Sequence, residues 1–131
     1  NDSLLTSQAR KVNLIKEKFS FSQIINFIDS NKVNNISLFG VSYKADSSDL
    51  RESPSYRLFK KLLEEKNIFI NLCEPNITDI DLESDQYRLV NLNNAIDKGD
   101  AYIFLVPHYQ FKEIVELKIN KPILDLCNLY E

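Results

Sequence analysis

The chain has 131 residues, of which 44% are hydrophobic and 27% charged, which is typical of one soluble globular domain with a core of its own. The formal net charge of −3 argues against general binding to nucleic acid or to anionic membranes. No apolar run approaches the roughly 18 residues of a membrane span, and the polar start is unlike a signal peptide, so we expect a cytoplasmic protein without nucleic-acid or membrane partners.

Helical patterns fill the first part of the chain. Residues 4–17 carry a mixed helical pattern without a preceding cap, as if a helix had been cut open upstream. Residues 21–30 predict a second helix, with apolar side chains at core-like positions. A short, mostly apolar segment over residues 35–39 then predicts a strand, which Gly40 closes.

The rest of the chain alternates helices with extended segments. Ser53 is a good N-cap and Pro54 suits the first helical position, so a helix is expected from Pro54 to about Lys66. Further helical patterns cover residues 92–98 and 109–115. Strands are predicted over residues 68–73, 87–90, 101–106 and 122–126.

Strands that alternate with helices form βαβ units, which predict a parallel sheet with right-handed crossovers. We therefore expect an α/β fold, a Rossmann-like three-layer α/β/α sandwich with a mainly parallel sheet of about five strands. Ligands on such sheets bind outside the carboxyl ends of the strands. The loops at those ends are residues 40–53, 74–76, 107–109 and 125–130.

Glycine and cysteine counts argue against several kinds of site. Gly40 and Gly99 are the only glycines, so neither GxGxxG nor GxxxxGK can be written. The usual Rossmann mode of binding NAD or flavin and the P-loop mode of binding ATP are therefore not expected. Cys73 and Cys127 form neither a CxxC pair nor a disulfide framework, and one histidine adds no convincing metal site.

The loop after Gly40 carries candidate phosphate ligands. Lys44 can meet a phosphate as a compact point charge, Tyr43 offers an aromatic wall beside it, and Arg51 can bind phosphate bidentately. Three acids share the loop: Asp46, Asp49 and Glu52. Because the acids outnumber the cations, two interpretations stay open, a phosphate site or a polar surface connection fixed by internal salt bridges.

The segment G-V-S-Y-K-A-D-S-S-D-L-R-E-S-P resembles the signature that opens the C-terminal domain of the UDP-glucose/GDP-mannose dehydrogenase family, roughly G-[LV]-x-[FY]-K-x-x-x-x-D-x-R-E-S-P. The matching residues are Gly40, Tyr43, Lys44, Asp49, Arg51, Glu52, Ser53 and Pro54. Two later segments, C-E-P-N-I from Cys73 and V-P-H-Y-Q-F-K from Val106, resemble those of the UDP-N-acetyl-D-mannosamine dehydrogenases within the family. Upstream, A-R-K-V-N from Ala9 resembles the end of the long helix that joins the family's two nucleotide-binding domains.

The resemblance implies a domain organisation and an activity. Residues 1–17 would be the end of the long linker helix, and residues 18–131 the C-terminal domain that binds the UDP-sugar. The parent enzyme would be a bacterial, NAD-dependent UDP-sugar 6-dehydrogenase that oxidises UDP-N-acetyl-D-mannosamine to its uronic acid for surface polysaccharide biosynthesis. Its partners would be the remaining domains and a second copy in a homodimer.

The family's chemistry lies outside this chain, as the resemblance implies. NAD would be bound by an N-terminal domain, because the glycine fingerprint is missing here. The family's catalytic cysteine sits in a Gly-rich motif of the central region, which neither Cys73 nor Cys127 matches. The chain therefore holds no catalytic residue, and we expect it to be inactive by itself.

The resemblance also assigns roles to individual residues. It implies that Lys44 contacts the diphosphate or its sugar and that Tyr43 packs beside the nucleotide. Arg51 is a second candidate contact, although an arginine–carboxylate network with Glu52, holding the loop, is the more plausible role. His108 is a candidate substrate contact or, equally, a cap for the helix that follows it.

Two other strand ends leave open questions. Glu74 and Asn76 either touch the ligand or form the turn around Pro75. Relatives often carry a basic residue after the aspartate of the last strand, whereas Asp125 is followed by Leu-Cys-Asn, so the family's second basic contact is in doubt.

Other functions remain as alternatives. The domain could belong to a UDP-glucose or UDP-N-acetylglucosamine 6-dehydrogenase, or it could be a non-enzymatic α/β binding module. A receiver-like domain with Asp46 or Asp49 as phosphoacceptor is disfavoured, because the acidic pair after the first strand and the aspartate after the third are absent. Fold analogy decides little among these, and the match to the signature favours the dehydrogenase family.

Overall fold

The computed structural model describes residues 2–42, 50 and 53–130, with side chains described from Lys16 onward. Its strands are β1 (Asn35–Phe39), β2 (Phe69–Cys73), β3 (Tyr87–Leu89), β4 (Ala101–Phe104) and β5 (Ile123–Asp125). Its helices are α1 (Asp2–Asn31), α2 (Pro54–Glu65), α3 (Leu92–Lys98) and α4 (Lys112–Val115), with a 3₁₀ turn at Tyr109–Phe111.

The five strands form one parallel sheet in the order β3-β2-β1-β4-β5. This confirms the predicted α/β fold with a five-stranded parallel sheet. The strand order reverses between β1 and β4, and in open α/β sheets the crevice outside the carboxyl ends at such a point is where ligands bind. The end of β1 therefore lies at the topologically favoured place for a site.

The prediction of two separate N-terminal helices is wrong, because α1 runs without a break from Asp2 to Asn31. Residues 18–20 are Lys-Phe-Ser, and none of these removes a helical hydrogen bond as proline does or loosens the backbone as glycine does. The predicted domain boundary between residues 17 and 18 thus falls within one helix, and it stays a prediction.

Each face of the sheet carries its own apolar cluster. Side chains alternate along the strands, so Leu38 of β1 and Ile103 of β4 pack with α1 and α2, where Ile28 and Phe59 are buried. On the other face, Phe39 of β1 packs with Tyr102 and Phe104 of β4. These three side chains are covered by α3, which contributes Ala95, and by the 3₁₀ turn, which contributes Phe111. Both faces of the parallel strands are covered, which explains why β4 is apolar throughout and why β1 and β2 are mostly apolar.

The predicted strand ends differ slightly from the observed ones. β4 ends at Phe104, not at residue 106, because the N–H groups of Leu105 and Val106 both turn to the Phe39 carbonyl, at 2.9 and 3.4 Å. The crossover from β2 to β3, residues 74–86, contains no helix and closes over the sheet through Ile80, which is buried. The helix expected over residues 109–115 is a 3₁₀ turn followed by α4.

Candidate functional site

The turn after β1 depends on Gly40. Its φ of +95° is a conformation that L-residues with a side chain rarely adopt. A Cβ at this position would lie 2.7 Å from the Val106 Cβ, so there is no room for a side chain either. Its N–H donates to the Cys73 carbonyl at 3.0 Å, which ties the turn to β2. The expected structural role of Gly40 thus has a physical basis.

The start of α2 is anchored to the same turn through Ser53. Its Oγ accepts a hydrogen bond from the N–H of Tyr56 at 3.4 Å, which is the predicted N-cap, and Pro54 opens the helix. The same hydroxyl donates to the Val41 carbonyl at 2.6 Å. Both ends of the connection between β1 and α2 are therefore held together.

Glu74, directly after β2, is the polar centre of this edge of the sheet. Its side chain is fully buried. The Val41 and Ser42 N–H groups both donate to its Oε1 at 2.8 Å, and the Asn76 N–H donates to Oε2 at 3.0 Å. Asn76 thus lies in the turn around Pro75, and contact of Asn76 with a ligand stays a prediction. Two successive backbone N–H groups converging on one oxygen form the kind of concavity that binds anions in many proteins.

His108 completes the surroundings of Glu74. Its Nε2 lies 3.1 Å from Glu74 Oε1, and since a carboxylate can only accept, that nitrogen carries the shared proton. The His108 ring also packs edge-on against Phe111, with centroids 5.4 Å apart. The expected cap is not formed, because the side chain makes no hydrogen bond to the 3₁₀ turn that follows. Substrate contact by His108 stays a prediction.

The ionisation of Glu74 follows from these contacts. Burial by itself raises its pKa, but the hydrogen bonds from His108, Val41 and Asn76 outweigh that effect and hold the pKa below its ordinary value. The carboxylate is therefore charged at neutral pH although no water reaches it. Buried charges of this kind persist only where hydrogen bonds satisfy them, as they do here.

Asp125 organises the turn after β5. Its Oδ1 accepts hydrogen bonds from the N–H groups of Cys127 and Leu129, both at 3.1 Å, and its Oδ2 from that of Tyr130 at 2.9 Å. Burial opposes ionisation, but these bonds prevail and lower the pKa of Asp125. Asp125 thus closes the turn that follows β5.

Neither cysteine has the properties of a nucleophile. Burial first, and the neighbouring charge of Glu74 second, raise the pKa of Cys73 to about 12. Burial, then the charge and hydrogen bond of Asp125, raise the pKa of Cys127 to about 12 as well. A thiol attacks as its thiolate, so both are unreactive near neutral pH. This agrees with the expectation that the chain holds no catalytic cysteine.

A cleft of about 710 Å³ opens beside Glu74, between the ends of β2 and β3 and the 3₁₀ turn. Tyr109, whose side chain is largely exposed, forms part of its wall. Its lining is Cys73, Glu74, Pro75, Ile77, Thr78, Leu89, Val90, Asn91, Leu92, Tyr109, Gln110 and Glu113. Sequence reasoning did not find this cleft, since its walls come from three separate stretches of the chain.

The structure brings together only some of the predicted site residues. Gly40, Ser53, Pro54 and His108 lie at the carboxyl edge of the sheet as expected. The other predicted residues lie outside the described part of the chain: Tyr43, Lys44, Asp49, Arg51 and Glu52. Their roles as ligand contacts or scaffold stay predictions. The sequence analysis did not predict the buried role of Glu74, although an acidic residue directly after an apolar strand indicates a carboxylate at the edge of the sheet.

The described residues contain neither a cluster of metal ligands nor a membrane-spanning helix. No group of three or more His, Cys, Asp or Glu side chains there is placed to hold a metal ion. Among the same residues, no helix combines the length and the apolar character needed to cross a membrane.

Comparisons with known proteins agree with the resemblance in the sequence. Residues 37–131 match the family described as "UDP-glucose/GDP-mannose dehydrogenase family, UDP binding domain". The UDP-N-acetyl-D-mannosamine dehydrogenase of Campylobacter jejuni is 34% identical over 122 residues, covering 91% of this chain and 30% of that protein. The NDP-N-acetyl-D-galactosaminuronic acid dehydrogenase of Ralstonia nicotianae is 28% identical, covering 84% of this chain and 26% of that protein.

Solved structures show the same fold. The UDP-N-acetyl-mannosamine dehydrogenase of Staphylococcus aureus superposes with a TM-score of 0.71 at 21% identity, over 100% of this chain and 31% of that one. The chain thus spans less than a third of the length of these relatives. Because the family match covers the sheet from β1 to the last residue and includes the signature segment, the chain belongs to the UDP-glucose/GDP-mannose dehydrogenase family and contains its UDP binding domain.

Proposed function

We propose that this chain is the UDP-sugar-binding C-terminal part of a bacterial, NAD-dependent UDP-sugar 6-dehydrogenase. The substrate is UDP-N-acetyl-D-mannosamine, oxidised in the cytoplasm to its uronic acid for surface polysaccharide biosynthesis. The observation that supports this most is the family match over residues 37–131, together with relatives that are named for N-acetylated nucleotide sugars.

The chain's own contribution is to hold the nucleotide half of the substrate. Lys44 meets the diphosphate as a point charge, and Tyr43 packs beside the nucleotide. The two residues belong to a connection whose ends are anchored at Gly40 and Ser53. A diphosphate carries several negative charges, so one well-placed ammonium group adds a charge-assisted contact that neutral groups cannot replace.

The residues of this chain do not fit NAD. The glycine fingerprint is absent, and the backbone N–H groups after β1, which cradle a pyrophosphate in dinucleotide-binding folds, are occupied by the Glu74 carboxylate. NAD belongs on other domains of the longer protein, as does the catalytic thiol, since Cys73 and Cys127 are protonated near neutral pH. These domains and a second copy in a homodimer are the chain's partners.

Titration calorimetry with UDP tests this function. UDP should bind the isolated chain weakly, because contacts from the other domains are missing. Lys44→Ala should weaken binding by about 1.5–3 kcal/mol, roughly ten- to a hundredfold, with little change in melting temperature. Arg51→Ala should instead lower the melting temperature. Lys118→Ala, an exposed lysine in the connection that enters β5 from the opposite edge of the sheet, is the matched control.

Two outcomes would contradict the assignment. Equal UDP affinity of Lys44→Ala and the parent chain would remove the loop from the phosphate site. Reduction of NAD by the isolated chain with any nucleotide sugar, above a control without protein, would contradict its role as a binding part that lacks the nucleophile and the hydride-acceptor site.

A further inference from the structure

The Glu74 carboxylate joins the ends of three neighbouring strands. It follows β2, accepts hydrogen bonds from the residues after β1, and faces His108 after β4. In the sheet β1 lies between β2 and β4, and adjacent strands are about 4.8 Å apart. The Glu74 and His108 side chains therefore meet across the end of β1. Gly40, which has no side chain, directly precedes Val41, the first of the two backbone donors to Glu74.

The position that Glu74 fills is an anion site. Gly40 turns the backbone so that the successive N–H groups of Val41 and Ser42 point at one place, and both bonds are 2.8 Å long. An internal carboxylate occupies it, so a phosphate of the ligand cannot bind to these two N–H groups. The ligand's charge is then left to other groups, and the proposed function assigns it to Lys44, which follows two residues later in the sequence.

We propose that Glu74, braced by His108, is a positioning residue for nucleotide binding. By fixing Val41 and Ser42 it sets the direction in which the chain leaves β1, and thereby the place at which the Lys44 ammonium group meets the diphosphate. This inference rests on the proposed function, because the positioned group matters only if the segment binds a nucleotide. Glu74 itself does not touch the ligand.

A conservative variant separates this role from general stability. Glu74→Gln keeps the size of the side chain but removes its negative charge and replaces one accepting oxygen by a donating NH₂ group, so the Val41 and Ser42 N–H groups lose either a charged acceptor or their acceptor altogether. We expect the amide hydrogens of Val41 and Ser42 to exchange at least about tenfold faster than in the parent chain, and UDP to bind about tenfold more weakly. Both are measured well below the melting temperature, so that each variant is fully folded.

His108→Phe provides a second, milder variant. It removes the donor to Glu74 while a ring remains to pack against Phe111. UDP affinity should fall about threefold, as expected for one hydrogen bond among four. Asp125→Asn is the matched control, because it also alters a carboxylate that accepts backbone N–H bonds at the end of a strand. Exchange at Val41 and Ser42 should not change in this control.

The outcomes distinguish this inference from the proposed function. Glu74→Gln with the parent's amide exchange at Val41 and Ser42, or with the parent's UDP affinity, would overturn the positioning role. Equal acceleration in the Asp125→Asn control would also overturn it, since the effect would then be general loosening. A parent chain that binds no UDP, while Glu74→Gln still loses protection at the two amides, would contradict the proposed function and support the structural part of the inference.

Discussion

Glu74 and Asp125 are both carboxylates that accept backbone hydrogen bonds next to a strand end, but their donors lie at different distances along the sequence. Each follows or ends a strand and accepts three backbone N–H bonds. In spite of burial, hydrogen bonds hold the pKa of each below its ordinary value, those of His108, Val41 and Asn76 for Glu74 and those of the local backbone for Asp125. The donors to Asp125 lie two to five residues away in the sequence, whereas Val41 and His108 lie 33 and 34 residues from Glu74. One carboxylate closes a local turn, and the other connects distant parts of the fold.

The difference shows what burial adds to a hydrogen bond. The Glu74 side chain is fully buried, so its donors depend on this carboxylate rather than on solvent. Around Asp125 the chain is more open, and Tyr130, one of its donors, is an exposed residue. Loss of a buried acceptor costs the full desolvation penalty of each donor left behind, while an exposed donor turns to solvent.

The largest expected effect is a difference in stability between variants that lack one or the other carboxylate. Glu74→Ala should lower the free energy of unfolding by about 3–5 kcal/mol, because it leaves several buried donors without a partner. Asp125→Ala should cost about 1–2 kcal/mol, comparable to the loss of a helix cap. Urea denaturation monitored by circular dichroism measures both. Equal losses would mean that neither the burial of the carboxylate nor its bonds to distant residues add to the free energy of unfolding.

Acid should remove the contribution of both groups. A carboxyl group whose pKa is lowered on folding stabilises the protein above its unfolded pKa, about 4 for these residues, and this stabilisation is lost as the pH falls through the folded pKa. Melting temperatures should therefore change little between about pH 7 and 5 and fall below about pH 4. The fall should be shallower in Glu74→Gln than in the parent chain. An identical acid profile would show that Glu74 does not contribute.

Each carboxylate has a thiol beside it that reports on its surroundings. At pH 8 both Cys73 and Cys127 should react with iodoacetamide roughly a thousandfold more slowly than free cysteine, because their pKa values of about 12 leave little thiolate. Asp125→Asn should accelerate Cys127 about tenfold and leave Cys73 unchanged, since only the C-terminal turn loosens. Mass spectrometry of the labelled peptides gives both rates. Acceleration of Cys73 in this variant would mean that the two ends of the sheet are coupled.

The smallest effect is expected for removal of residues 1–16. Ile24 and Ile28, the buried core residues among the described side chains of α1, remain in the shortened chain. The ion pair between Glu17 and Arg57 is at the surface and is retained. We expect the unfolding free energy to change by less than about 1 kcal/mol, with the difference between Glu74→Ala and Asp125→Ala preserved. Loss of cooperative unfolding in the shortened chain would show that the boundary lies elsewhere.

Sequence patterns predicted most elements because local causes define them. Ser53 caps α2 as expected, since a hydroxyl before a proline-opened helix needs only its next turn. The strands β1, β2 and β4 were predicted from apolar runs that a doubly covered parallel sheet requires. The break expected within α1 was wrong, because the change of pattern there coincides with no residue that ends a helix.

The family and the sheet followed from the sequence by itself, since the signature segment and the alternation of elements are properties of consecutive residues. The partners of Glu74 did not follow, because Val41 and His108 become its neighbours only when β2, β1 and β4 lie side by side. Whether an acidic side chain meets solvent, ligand or backbone depends on what the rest of the chain places around it. Only the tertiary structure decided that this carboxylate fills the anion site after β1, because burial and long-range donors set its charge and its partners.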